Sequence, residues 1–468
     1  MHKTGVIAGK SNYALLTGRN LRIYDSVMDG LNHEKNKITP IAVTNWRDIR
    51  KIFGIKEKNR RGHMYLIGKT GTGKSSLIAN MAISDIRQGN GVAVIDPHGD
   101  LVQSLLSHIP KERIQDVIYF NPGDIEYPIA FNPLSKISPD HRHLVVSGLI
   151  SVFKKIWFEF WGPRLEHILR NALLTLLEYQ GATLLDIPRL LTEPGFRAKV
   201  LSRLTNVQVR SFWLYEFDKY TPWLRSEAVS PILNKMGQFL TSLPLRNIVG
   251  QTESAFRMRT VMDEGKILLV NLAKGVIGED NSAVLGSLLV TMLYLAAVSR
   301  AAVPEEKRKS FYLYVDEFHN FVSLTFPDIL SEARKYGLHL ILAHQYMSQL
   351  HEKVSSGIFG NVGTIISFRI GFEDAHLLSR EFQPAFSETD LVNLPNYHIY
   401  LKLMVDGVTS QPFSGLTLPL PVQQLSNQEN IVQESRLRYG RSRKEIEHVI
   451  LTGLRNESGS SSSQGRLF

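Results

Sequence analysis

Gly68-Lys69-Thr70-Gly71-Thr72-Gly73-Lys74-Ser75 lies between an apolar strand pattern, Met64–Ile67, and a helical one, Ser75–Gln88. The stretch carries the phosphate-loop pattern in full. Its glycines let the backbone curl so that successive N–H groups point inward at phosphate oxygens. The helix that follows presents its positive N-terminal end to the same anions. Lys74 places an ammonium between β- and γ-phosphates, and the Ser75 hydroxyl is a candidate Mg2+ ligand. Gly68 through Ser75, with Ser76, form the candidate nucleotide cradle: Gly68, Lys69, Thr70, Gly71, Thr72, Gly73, Lys74, Ser75 and Ser76. An ordinary Gly-rich turn is the alternative. A strand before and a helix after are the context that a phosphate loop requires.

Working outward, strand patterns recur at Gly91–Ile95, Val117–Phe120, Lys266–Leu272, Phe311–Val315, Leu338–Ala343, Gly363–Ile370 and His398–Val405. Helical patterns separate most of them. This alternation predicts an α/β fold with a parallel sheet and helices on both faces. The pattern changes between about Pro139 and Arg259. Leu165, Ile168, Leu169, Ala172, Leu173, Leu176 and Leu177 form one helical stripe there. Further helices are expected in Phe196–Leu204, Val207–Asp218 and Ser226–Leu240, and no strand. The expected organisation is a lead-in at 1–50, a nucleotide-binding domain from 51–138 and 260–420, an all-α insertion at 139–259, and a C-terminal tail at 421–468. The Ser/Gly-rich end of that tail, Asn456–Gln464, is expected to be disordered.

The chain has 468 residues, and 43% are hydrophobic, which excludes disorder for its bulk. Cysteine is absent, which excludes a disulfide scaffold, a thiolate zinc site and a cysteine nucleophile. The net charge of +10 is uneven. Residues 1–62 hold 13 basic and 5 acidic side chains, residues 141–260 hold 16 and 9, and the remainder 25 and 30. The basic excess thus lies in the flanking and inserted segments, where a polyanion could be gripped; a solvated basic surface is the alternative. Met1–Arg19 has no apolar signal-peptide core. Asn281–Ser299 carries no charge and is long enough to span a bilayer. Placed between two strand patterns, it reads instead as a crossover helix buried against the sheet. The chain is therefore expected to be cytoplasmic, without direct membrane insertion, and peripheral at the membrane only through partners.

Phe311–Val315 ends in Asp316-Glu317. An acid at the tip of a buried parallel strand lies beside the phosphate loop in this architecture. Asp316 suits the Mg2+ shell, and Glu317 suits orientation of an attacking water; a mere cap of the next helix is the alternative, which the phosphate loop disfavours. The strand Leu338–Ala343 ends in His344-Gln345, where Gln345 is a candidate γ-phosphate or water contact and His344 reads as structural. Arg334 precedes that strand and is an arginine-finger candidate. By position alone a surface role is the stronger reading for it, and Arg369 and Arg380 are weaker candidates. Asp96-Pro97-His98-Gly99-Asp100 is either a turn and helix cap or an approach to the nucleotide.

The order of these motifs, with a helical insertion between the Asp96–Asp100 turn and the Asp316-Glu317 pair, resembles the conjugative coupling proteins of type IV secretion (the TraG/TraD/TrwB group). These belong to the HerA–FtsK superfamily of DNA-pumping ATPases. The resemblance covers about residues 50–420. It implies a RecA-like P-loop NTPase core, ATP and Mg2+ as cofactors, a homo-hexamer with ATP at each interface, and DNA in a central channel. It also implies contact with a relaxase and with membrane components of the secretion system. Lys74 and Ser75 would then be the Walker A pair, Asp316 the Walker B acid, Glu317 the catalytic acid and Gln345 the sensor. Arg334, eleven positions before Gln345, would be the arginine that acts in trans. The group usually begins with transmembrane helices, and this sequence shows none, so the expectation is either a soluble variant docked on a separate membrane protein or a cytosolic translocase of a mobile element.

The insertion interleaves Trp, Phe and Arg, as in Ser211–Arg225. Most of these aromatics read as the core of a small helical domain. Lys154, Lys155, Arg164, Arg210 and Arg225 are the candidate phosphate contacts, non-specific and salt-sensitive. Two other functions compete with a DNA motor: a pilus-assembly ATPase of the same systems, and a nucleotide-gated adaptor that recruits a relaxase.

Overall fold

The computed structural model describes residues 38–45, 50–323, 326–421 and 427–458. One eleven-stranded sheet organises it. Its strands are β1 (Ile38–Thr44), β2 (Ile52–Lys56), β3 (Met64–Ile67), β4 (Gly91–Asp96), β5 (Val117–Phe120), β6 (Ile267–Asn271), β7 (Phe311–Val315), β8 (Leu338–His344), β9 (Thr364–Ser367), β10 (His398–Lys402) and, beyond a small hairpin of β11 (Met404–Val405) and β12 (Val408–Thr409), β13 (Phe413–Thr417). Their order across the sheet is β2-β1-β13-β10-β9-β3-β8-β7-β4-β6-β5. From β9 to β5 all neighbours are parallel, and from β2 to the β10–β9 pairing all are antiparallel.

The parallel strands are buried on both faces, so they read as apolar runs rather than alternating ones. Alternation survives in where each residue goes. Tyr65, Ala93, Ile95, Leu313 and Val315 join the core shared with the insertion. Leu66, Val92, Val94, Tyr312 and Tyr314 join the core under the helix Lys74–Arg87 on the other face. The insertion core is therefore continuous with one face of the sheet.

Among the described residues the segment 139–259 holds helices and no strand, including Arg142–Ile156, Pro163–Glu178, Pro194–Leu201 and Pro222–Leu240. The expected helix Val207–Asp218 is broken. It is a short α-helix, Val207–Ser211, then a π turn over Phe212–Glu216 that buries Phe212 and Trp213 together. The uncharged stretch forms part of the helix Glu279–Val298 between β6 and β7, with Leu285, Leu288, Leu289 and Leu293 buried. By length and composition the segment 279–302 could cross a membrane. Here it packs on Arg142–Ile156, and a Cβ on Gly148 would meet Thr291 Cγ2 at 2.7 Å, so the two helices touch backbone to side chain.

Two boundaries need correction. The sheet takes in β1, ahead of residue 51, because β1 pairs with both β2 and β13. The rest of the lead-in lies outside the described residues. The tail is not a simple appendage: Gln428–Tyr439 and Arg443–Ser458 are helices. The first covers the edge strand β5, with Tyr119 N–H donating to Ser435 Oγ at 2.9 Å and Arg436 paired to Asp124 at 2.6 Å. An otherwise open parallel edge is thereby closed. Residues 456–458, expected to be disordered, fall within the second helix, and 459–464 lie outside the described residues.

Candidate nucleotide site

The phosphate loop leaves the C-terminal end of β3, in the centre of the sheet. Neighbouring strand ends pin it. Gly68 N–H donates to His344 O at 3.3 Å, Lys69 N–H to Arg369 O at 2.9 Å, and Tyr397 N–H to Thr72 O at 2.7 Å. Gly73 sits at φ +116°, and a Cβ there would meet the Tyr397 ring at 2.8 Å. Only glycine fits both the conformation and the space. Lys74 begins the helix, is buried, and its Nζ donates to Gly68 O. Burial lowers its pKa, opposed by the charges of Glu317 and Asp316.

Asp316 and Glu317 stand at the tip of β7, one strand beyond β8. Asp316 Oδ2 faces the exposed Ser75 hydroxyl at 3.4 Å. Burial, helped by the charges of Glu317 and Asp96, pushes the Asp316 carboxyl up to about 6. Glu317 is buried in the left-handed backbone region, at φ 45° and ψ 48°. Such a conformation is strained for a non-glycine residue and is held by its surroundings. Asn320 Nδ2 donates to Glu317 O at 2.8 Å, which helps hold it. Glu317 Oε1 accepts from Gln345 Nε2 at 3.0 Å, and Gln345 Oε1 accepts from Thr70 Oγ1 at 3.0 Å. The phosphate loop and the acid are thus joined by one side-chain relay. Glu317 Oε2 is buried without a hydrogen-bond partner, 3.5 Å from His319 Nδ1. Burial, with Lys274 and Lys155 nearby, lowers the His319 pKa to about 4, so the contact is not an ion pair at neutral pH.

The donor set suits a magnesium-bound nucleotide. A hydroxyl and a carboxylate facing each other across a short gap are hard oxygen ligands, and Mg2+ takes one or two of these beside phosphates and water. A buried ammonium beside two acids suits the phosphates, and the unpartnered Glu317 oxygen suits a water. Among the described residues no group of three or more His, Cys, Asp or Glu forms a metal centre, so a metal would rely on the nucleotide for its remaining ligands.

The structure thus brings together Lys74, Ser75, Asp316, Glu317 and Gln345. His344 is structural: it is fully buried, contacts the Tyr65 hydroxyl through Nε2, and is held at a pKa of about 3 chiefly by burial. The Asp96 turn is a cap that also lies beside the site, near enough for its charge to raise Asp316. Its carboxylate accepts from His98 N–H at 2.8 Å and Val102 N–H at 3.1 Å. Arg369 lies close to the loop, with Nη2 donating to Asn396 Oδ1 at 2.9 Å. Arg334 is exposed on the short turn before β8 and does not reach this site. Seven residues of β8 separate it from Gln345, about 20 Å at strand rise. It lies at the opposite end of the strands, ahead of the start of β8. Arg380 is exposed on the helix Phe372–Phe382.

Among the basic candidates of the insertion, Arg164 and Arg210 are exposed, Lys154 approaches Glu166 at 3.6 Å, and Arg225 donates to Phe217 O and Asp218 O. Lys155 is a correction: its ammonium lies beneath the turn after Glu317 rather than facing solvent, donating to Asn320 O and, at 3.3 Å, to His319 O. Trp157 and Trp213 are core, whereas Trp223 is 74% exposed. Tyr397 and Asn320 were not singled out from the sequence, since neither sits in a pattern that marks it.

A family profile described as the type IV secretion-system coupling protein DNA-binding domain matches residues 48–376, well over half of the chain. No curated protein sequence matches it. The fold is similar to that of the bacterial conjugative coupling protein TrwBdeltaN70 in its unbound monoclinic form, at TM-score 0.58 and 16% identity over 85% of this chain and 93% of that one. The plasmid coupling protein TrwB in complex with ADP and Mg2+ gives TM-score 0.57 and 16% identity over 85% and 94%. VirB4 of Thermoanaerobacter pseudethanolicus gives 0.52 and 16% over 82% and 97%. With a TrwB-like sheet, a complete phosphate loop at its centre and a profile match across both, the chain belongs to the type IV secretion-system coupling protein DNA-binding domain family.

Proposed function

We propose that this chain is an ATP-hydrolysing motor that moves DNA for conjugative transfer or type IV secretion, and that it works as a homo-hexamer. The observation that carries the reading is the Thr70–Gln345–Glu317 relay, which ends on a buried carboxylate oxygen with no partner. A passive binding site has no use for such an acid.

Lys74 and the loop amides hold the phosphates, and Ser75 and Asp316 hold Mg2+. The metal, when bound, neutralises charge that develops on the phosphoryl oxygens. Glu317 orients the attacking water through Oε2, while Gln345 fixes the acid and senses the loop through Thr70. Arg334 acts on a neighbouring subunit's nucleotide, since its own lies a strand length away at the other end of β8. Exposed basic residues of the insertion, Arg164 and Arg210 among them, contact DNA phosphates without reading sequence. A relaxase and membrane components of the secretion system are the further partners. The chain is placed in the cytoplasm, at the membrane through those partners. The packing of Glu279–Val298 on Arg142–Ile156 supports that placement.

Titrating ATPase rate against DNA tests the reading. DNA-stimulated turnover that Lys74→Ala abolishes is expected. Turnover indifferent to DNA would favour a protein-secretion ATPase, and no turnover an adaptor.

A further inference from the structure

Lys155 occupies the last turn of Arg142–Ile156, the insertion helix that packs on Glu279–Val298. Its ammonium donates to the carbonyls of His319 and Asn320, immediately after the acid-bearing tip of β7. Asn320 is held from a second side, where Lys274 Nζ donates to its Oδ1 at 2.9 Å. Through Nδ2 the same residue donates to Glu317 O. The carbonyls that Lys155 grips therefore belong to the short turn that fixes Glu317 in its left-handed conformation. Among the described residues no carboxylate is paired with Lys155, so backbone carbonyls are its acceptors. Burial, reinforced by Lys274, pushes its pKa down to about 7, and an amine in either protonation state can donate.

The other side of the same helix end opens outward. Lys154 lines a cleft of about 640 Å³ with Phe158, Trp161, Glu166, His167 and Arg170. Adjacent residues on a helix point about 100° apart. One helix end thus presents one lysine to an outer cleft of the insertion and the next to the turn carrying Glu317.

We propose that Lys155 is a positioning residue for Glu317, tying the insertion to the acid-bearing turn so that what the insertion contacts is passed to hydrolysis. The proposal rests on the ATPase reading above. Lys155 acts through the turn; it does not itself reach Glu317's carboxylate.

The test uses the full chain with Lys155→Met, which keeps the stem and removes the donor, and Lys155→Arg, which keeps a donor. The readouts are kcat and KM for ATP, ADP affinity, and stimulation by duplex DNA at low salt. Lys155→Met is expected to lower kcat about tenfold or more and to lose most DNA stimulation, with KM and ADP affinity within about twofold. Lys155→Arg is expected to restore part of both. Wild-type kcat and stimulation in Lys155→Met would overturn the proposal. If Lys155→Met does not fold, Asn320→Ala frees the same turn from its other side and is expected to lower kcat with ADP affinity kept; an unchanged kcat there overturns the proposal equally. A wild-type chain without ATP turnover overturns the proposed function and this proposal with it. Turnover in wild type with an indifferent Lys155→Met overturns this proposal alone.

Discussion

Gln345 Nε2 donates to Glu317 Oε1 at 3.0 Å, and this bond crosses from the tip of β8 to the tip of β7. It turns two strand ends into one unit, because Gln345 is also bonded to Thr70 of the phosphate loop. A change at the loop therefore has a direct route to the acid. Gln345→Ala is predicted to slow ATP turnover by about 10- to 100-fold while leaving nucleotide affinity within a few-fold. Steady-state kinetics beside equilibrium nucleotide binding would separate the two, since a transition-state contact lowers kcat and a ground-state contact raises KM.

Glu317→Gln preserves the volume and the bond to Gln345 but removes the negative oxygen. It is predicted to bind ATP and hold it unhydrolysed. A nucleotide-retention assay should find ATP, not ADP, in the recovered complex; ADP at the wild-type rate would remove Glu317 from the chemistry.

Arg334 stands at the opposite end of β8 from the site at its own loop. Arg334→Ala is predicted to bind nucleotide normally and to lose turnover. Mixing it with Glu317→Gln places an intact arginine against an intact acid at some interfaces and should recover part of the rate. Lost nucleotide binding in Arg334→Ala alone, or no recovery in any mixture, would refute action in trans.

Asp316 titrates near 6, raised by burial and neighbouring acids. A carboxyl whose folded pKa exceeds its unfolded value binds more protons when folded. Its contribution to stability is present below the unfolded pKa and is lost as pH rises through about 6. Magnesium needs the deprotonated form, so Mg2+ affinity should fall by about tenfold per pH unit below that value. Mg2+-dependent nucleotide binding compared at pH 5 and pH 7.5 checks this, and the Asp316→Asn variant should show no such slope.

Arg60 is fully buried and paired to both carboxylate oxygens of Asp85, with Nη2 also donating to Tyr314 at 2.8 Å. The cluster ties the loop helix to β7. Removing one partner leaves a buried charge, so Arg60→Met is predicted to cost about 3–5 kcal/mol in denaturant unfolding.

The parallel half of the sheet was legible because strands buried on both faces are apolar runs, and β3, β5 and β7 begin and end where those runs do. The antiparallel half was less so. β1 and β2 hold Pro40, Gly54 and Lys56, and β13 is five residues of which three are half-exposed and the buried two are Gly415 and Thr417, so no apolar run marks them. Their identity comes from pairing with distant strands. At the site, Lys74, Ser75, Asp316 and Glu317 were readable because local spacing dictates their chemistry. Lys155 was misjudged because a lysine on a basic helix looks solvated until the partner turn, more than 160 positions away, is placed. Tyr397 contributes a backbone N–H and a ring to the loop, and no sequence pattern encodes either.

The central claim is that DNA contact drives ATP hydrolysis. The most direct test is the steady-state ATPase rate of the full chain against added single- and double-stranded DNA at two salt concentrations, with Lys74→Ala as the blank. A rate that rises with DNA, and rises less at high salt because each counterion released from the phosphates then gains less entropy, is the predicted result. A Lys74-dependent rate that does not respond to either DNA at either salt would contradict it.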